Sequence, residues 1–201
     1  MHVILSRYAG LASRIEEAAP KVEQGFVPLI RGCPGFRGYA ALASEQGDIW
    51  AVTVWEDAAA AAASRDKIRG WVRDNLRGIA PEEPTERSAG DVMLHVEAQA
   101  RGGGGDRPLH CVVRRYEGAP PEERIRPIAK GVIAKYRQAE GFRGIYVVRD
   151  PQDASRLTSV ALFDSRESAE RLFREVTQAA MPEGMSQKVL ASGQTAVLAM
   201  A

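Results

Sequence analysis

Three histidines, three tryptophans and five tyrosines carry most of the chemical potential of this sequence. His2 heads the segment HVILSRYAG, and the pattern returns as HCVVRRYEG from His110. An imidazole with an unperturbed pKa of about 6.5 suits general-base work, so His2 is a candidate catalytic residue. Descent of both copies from one ancestor explains the paired histidines equally well. Tyr8 and Tyr116 close the two segments, and strand alternation sets each on the face of its histidine, where a hydroxyl can orient a phenolic ligand. A tyrosine with its hydroxyl at a rim is the blander alternative. Trp55 ends a strand-like run, and Phe163 holds the matching place in the second copy; both are candidate substrate-binding residues, Trp55 adding an indole donor. Asn75 follows Ile68 by two helical turns, near an apolar face where an amide needs a partner, and is the second candidate catalytic residue. Trp50 and Trp55 alternate out of phase, so they cannot line one cavity. Cys33 and Cys111 fall at unmatched places and supply too few donors for zinc, so no metal site is expected.

The elements that must position these groups occur twice. PGFRGYAAL returns as EGFRGIYVV from Glu140, so two homologous units stand in tandem. In the first, His2 to Tyr8 reads as a strand, and a helical stretch follows from Leu11 to Arg31 with a break or a fresh start at Pro20. Arg37 to Ala43 and IWAVTVW read as antiparallel strands around EQGD. Asp57 caps a helix through Leu76, PEEPTERSAG is a polar connection, and Asp91 to Ala98 is a final strand. The second unit repeats the order. Its first helix is entered through Pro120 and Pro121 and re-entered at Pro127, its second has a capping-box-like start at Asp164, and its closing strand, within Lys188 to Met200, is interrupted at SGQT.

The expected class is therefore α+β, with two ferredoxin-like βαββαβ repeats packed sheet to sheet as a pseudo-dimeric α/β barrel. The repeats span 1–99 and 108–201, joined over 100–107 by a Gly-rich linker. No Lys-Ser/Thr pair opening a helix follows its four glycines, which excludes a phosphate-cradling loop. The recurring Arg37 and Arg143 of the GFRG turns point to a shared structural role, with an anion clamp as the alternative.

Composition, at 45% apolar and 26% charged with a net charge of +1, is that of a soluble globular protein. No apolar run approaches the ~20 residues of a membrane span, and no basic run interleaved with aromatics suggests nucleic acid. The N-terminus lacks the regions of a secretory signal, so a cytoplasmic location is expected. The expected partner is a small hydrophobic or aromatic ligand; a homo-oligomer beyond the internal pseudo-dimer is left open.

The βαββαβ order, the GFRG turn and the strand ending VTVWED resemble the antibiotic biosynthesis monooxygenase-like family of the dimeric α/β-barrel superfamily. The likeness is best over residues 2–78, and GFRGIYVVRD with SVALFDSRESAERLF looks like a diverged second copy. It implies a small-molecule-binding protein, and in the first unit a cofactor-independent oxygenase acting on an aromatic or quinol-type compound. Trp55 stands where that family has a tryptophan, whereas Ala51 replaces its asparagine. A non-catalytic binding or structural module is the alternative. Haem degradation is a third reading: Ser6 replaces the haem-degrading members' strand asparagine and no histidine lies in either second helix, so no cofactor is expected.

Overall fold

The computed structural model describes residues 1–98 and 108–201, the side chains of 178–180 excepted. The expected linker at 100–107 lies outside the described residues. Two compact units are formed, Met1–Asp91 with Gly193–Ala201, and Val92–Ser192. They differ from the sequence repeats at their edges, because two long strands, β4 (Glu86–Glu97) and β8 (Ser186–Met200), contribute residues to both.

In the first unit, β1 (His2–Tyr8) pairs antiparallel with β3 (Ile49–Trp55) on one side and with residues 86–91 of β4 on the other. β2 (Phe36–Ala43) lies beyond β3 and pairs with the end of β8. Branched and aromatic residues at alternate positions make these strands two-faced. One face, carrying Ile4, Tyr39, Ala41, Trp55, Val197 and Ala199, packs under the helices. The first helical stretch is a 3-10 turn, Ala12–Arg14, then α1 (Ile15–Lys21), a π turn over Val22–Phe26, and α2 (Val27–Arg31). The expected break at Pro20 is thus no chain break. Pro20 lies inside α1, and a π turn follows it. α3 (Ala58–Asn75) begins at Asp57, whose carboxylate accepts from the Ala60 N–H at 2.8 Å.

The second unit repeats this with β5 (His110–Glu117), α4 (Glu122–Gln138), β6 (Phe142–Arg149), β7 (Leu157–Phe163) and α5 (Arg166–Ala180). β7 lies between β5 and β6, and β6 pairs with residues 92–97 of β4. Along the chain the hydrogen-bonded order is β1-β3-β2-β8-β5-β7-β6-β4, antiparallel and closed by the β4–β1 pairing. The class is α+β.

Four local expectations are corrected. The α5 cap is Ser165, whose hydroxyl accepts from the Ser168 N–H at 3.2 Å, not Asp164. Asp164 instead pairs with Arg143 at 2.5 Å. α4 runs through Pro127 without a restart. β4 begins at Glu86, five residues early, because half of what reads as a polar connection completes the pairing of β1. β8 is continuous through SGQT, where Gly193 leaves room for the Ala43 carbonyl that any Cβ would strike. No described helix is long and apolar enough to cross a membrane.

Candidate functional site

Each unit holds a partly open cavity of about 120 Å³ between its sheet and its helices. In the first unit the sheet supplies Ile4, Ser6 and Tyr8 from β1 and Ala51 and Thr53 from β3, the period-two set that faces the helices. Val22 and Phe26 come from the π turn, and Ile68, Trp71 and Val72 from α3 at helical spacing. Phe26 is 5.2 Å from both the Tyr39 and the Trp71 rings, which gives the cavity an aromatic wall. Gly25 makes that wall possible, since a Cβ there would meet the Trp71 indole at 3.0 Å.

The lining of this cavity also carries polar groups. Tyr8 and Tyr39 both line it, and they are electrostatic neighbours. Burial raises the Tyr8 pKa against the opposing Arg87 charge and with a contribution from Glu83. Burial, and then Tyr8, pushes Tyr39 far above the ordinary range. Both hydroxyls are hence protonated donors at neutral pH. Arg65, Arg69, Arg87, Glu82 and Glu83 complete the lining; Arg69 pairs with Glu82 at 2.6 Å and Glu83 at 3.1 Å, while Arg87 lies across from Ser6 on the neighbouring strand.

Of the six candidate site residues, Tyr8 and Tyr116 line the two cavities, and His2, Asn75, Trp55 and Phe163 do not. His2 is at the opposite end of β1 from Tyr8, with Nδ1 2.8 Å from the Asp91 carboxylate. Trp55 pairs with His2 across the strands, fully enclosed against Phe36, so Trp55 and Tyr8 lie at opposite ends of the sheet. Phe163 is equally enclosed, packed edge-on to Phe142 and Phe173. Asn75 is exposed at the end of α3, where its amide donates to the Trp71 carbonyl at 2.9 Å. That bond caps a last-turn carbonyl, the demand a helix end makes on a nearby amide. Trp71, Phe26 and Tyr39 were not among the candidate site residues. Trp71 was legible as the position three after Ile68, on the face of Ile68 and Val72.

The second cavity is lined by apolar groups of α4, β4 and β6, with Tyr116, Ser159, Thr177 and Gln187 as its polar members besides the buried Tyr136. Neither lining includes a histidine, and a haem macrocycle exceeds either volume, so the residues present do not fit that group. Cys33 and Cys111 are free and buried; burial pushes the Cys111 thiol up to about 12, leaving it an inert thiol.

No family model matches the sequence, and no curated protein matches it. Solved structures do. One, from Fusobacterium nucleatum and provisionally described as a monooxygenase, superposes with a TM-score of 0.69 at 13% identity, over 99% of this chain and 94% of that one. Another so described, from Lactobacillus acidophilus, gives 0.70 at 12% identity over 99% and 95%. An anthrone oxidase-like protein gives 0.60 at 12% identity over 100% and 93%. The chain shares the fold of these structures. Identity at this level carries the fold and leaves the chemistry to the residues above.

Proposed function

We propose that the chain is a small-molecule-binding protein and that its first-unit cavity takes a single aromatic ring bearing a hydroxyl or carbonyl group. The observation that carries this reading is the juxtaposition of an aromatic wall, Phe26 and Trp71, with two protonated hydroxyl donors, Tyr8 and Tyr39, in one cavity. Size narrows the ligand: about 120 Å³ is close to the ~150 Å³ of an apolar cavity that accepts benzene, and below what a three-ring anthrone fills. Arg87 beside Tyr8 supports a further reading, cofactor-independent oxygenation of a quinol, because a guanidinium there favours the phenolate that reacts with dioxygen. The names of the neighbours, monooxygenase and anthrone oxidase-like, agree with that chemistry.

Hydroquinone and toluene, titrated while tryptophan emission and oxygen uptake are followed, test both readings. Hydroquinone is expected to quench Trp71, and Tyr8→Phe to weaken it about fivefold, the worth of one hydrogen bond of ~1 kcal/mol, with toluene unaffected. Absence of saturable quenching rejects the ligand class. Quenching with oxygen uptake no faster than in buffer leaves binding without catalysis.

A further inference from the structure

The second unit places a guanidinium where the first has a small residue. β1 and β5 are matched in sequence, so Arg114 stands at the place of Ser6, and β3 and β7 likewise match Ser159 with Ala51. The strand registers set Arg114 directly opposite Ser159, as Ser6 is set opposite Ala51. Side chains so paired share a face about 5 Å apart at Cβ.

Neither polar group is fully satisfied within the chain. Ser159 is 1% exposed, lines the second cavity, and its hydroxyl has no hydrogen-bond partner. The Arg114 Nε is buried and without a partner, and among the described residues no carboxylate pairs with this arginine. Its guanidinium lies 3.5 Å from the centre of the Phe173 ring, and one Nη donates to the Gln187 side chain at 2.9 Å. Gln187 in turn donates to Thr177 at 2.9 Å, which holds its oxygen toward Arg114. Phe173, Thr177 and Gln187 line both the cavity and an adjoining groove that Arg114 shares with Glu170 and Arg174. Glu170 is engaged by Arg166 at 2.7 Å. Burial works against the Arg114 charge, offset only in part by Tyr116 and Tyr136. A partly buried cation without a counter-ion beside an orphaned hydroxyl is costly unless something anionic completes it.

We propose that the second-unit cavity, together with the groove adjoining it, is a site for a small apolar carboxylate, its anionic end held where the two meet, by Arg114 from the groove and Ser159 from the cavity. The remaining lining, Leu94, Val96, Ile128, Val132 and Ile145 among it, receives the hydrocarbon end. A cavity of about 120 Å³ selects an acid of one ring or a short branched chain. This site is separate from the phenol site of the first unit, and its test fails independently of that one.

Calorimetric titration of the full chain with benzoate and its neutral analogue benzamide decides the matter. One benzoate is expected per chain, at least tenfold tighter than benzamide, with Arg114→Gln erasing the difference and Ser159→Ala weakening benzoate about fivefold. Because all three tryptophans lie in the first unit, their emission should not respond, whereas the Gln187 side-chain amide signal should shift. Equal binding of benzoate and benzamide by the wild type, or a benzoate preference that survives Arg114→Gln, overturns the proposal. So does benzoate binding reported by tryptophan quenching, which would place it in the other cavity. Should Arg114→Gln fail to fold, the wild-type pair and Ser159→Ala still decide it, an unchanged benzoate affinity in Ser159→Ala counting against.

Discussion

The two cavities sit at equivalent places in equivalent units, yet their polar groups lie in different parts of the lining. In the first, the centre of the sheet presents Ser6 and Ala51, and its ionic groups, Arg65, Arg69, Arg87, Glu82 and Glu83, come from α3, the segment entering β4 and the start of β4 itself. In the second, Ser159 lines the cavity from the sheet and Arg114, opposite it on β5, lines the adjoining groove, while the helices contribute mostly apolar side chains. The framework around them hardly differs. Gly35 and Gly141 have the same φ of 76°, each followed by an arginine that pairs with an acid at the end of the next strand, Arg37 with Glu56 and Arg143 with Asp164. The Gly35 and Gly141 carbonyls accept from the N–H groups of those same acids at 2.7 Å. Turn geometry is thus what the two units share, because the strand-to-helix junction depends on it, while side chains over the cavity differ without cost to the sheet.

The largest effect is expected where that shared framework is broken. A Cβ at Gly35 would lie 2.6 Å from the Ala60 Cβ on α3, and one at Gly141 would lie 2.5 Å from the Ser168 hydroxyl. Gly35→Ala should cost about 3 kcal/mol, combining ~1–2 for a left-handed residue with the strain of overpacking against a helix. Gly141→Ala should cost about 1 kcal/mol less, since a serine side chain can turn away and an alanine methyl cannot. Urea midpoints measure both; equal costs would show that the φ alone matters and remove the packing difference between the units.

Next comes the hairpin turn. In the first unit Asp48 is buried, accepts from the Arg7 guanidinium at 2.7 Å and from the Gly10 N–H at 2.9 Å. Its equivalent in the second is Arg156, which spreads itself over Glu117, Asp150 and Asp153 near the surface. Burial pushes the Asp48 pKa up, but Gly10 and Arg7 outweigh it and hold the carboxyl below its ordinary value. A depressed folded pKa means stability that is present above the unfolded value and lost as pH falls through the folded one. Asp48→Asn should therefore cost about 2 kcal/mol at pH 7, and the gap from wild type should shrink as the pH falls below about 4. Arg156→Gln should cost less than Asp48→Asn. A gap independent of pH would mean that the amide loses shape rather than charge.

Sharpening the comparison at the cavities requires a residue that serves one of them alone. Trp71→Ala removes a wall of the first cavity and should weaken hydroquinone about tenfold, or ~1.4 kcal/mol, while leaving benzoate binding unchanged. Loss of both affinities would tie the two cavities to one global change.

Periodicity and turn chemistry were legible in the sequence because they are local. IWAVTVW is a strand over the expected residues, and Asp57 caps α3 as its spacing before the alanine run suggests. Site membership depends on position along a strand as well as on face, and only the face can be read from alternation. His2, Trp55 and Tyr8 share a face, as expected, but the antiparallel register puts His2 and Trp55 together at one end and Tyr8 at the other. Arg114 and Ser159 passed unnoticed for a related reason. Each looks like an ordinary polar residue in a strand, and only the pairing of β5 with β7 brings them face to face.

Trp55→Phe should have the smallest effect, and it tests whether the most conspicuous aromatic of the first unit has any part in binding. The indole is fully enclosed, and its Nε1 has no hydrogen-bond partner. Replacing it with a phenyl ring forfeits buried area, on the order of 1 kcal/mol at ~25 cal/mol per Å². It also removes an orphaned donor whose burial costs ~1–3 kcal/mol. The two contributions oppose each other, so the melting midpoint should move by the equivalent of no more than about 1 kcal/mol in either direction. Phe163 already fills the matching position in the second unit with a phenyl ring and no orphan, which shows that the framework accommodates one there. Hydroquinone affinity, read by calorimetry, should stay within twofold, because Trp55 lines neither cavity. A tenfold loss of hydroquinone with an unchanged midpoint would instead mean that Trp55 reaches the ligand, and the distinction drawn between the two ends of the first sheet would fall.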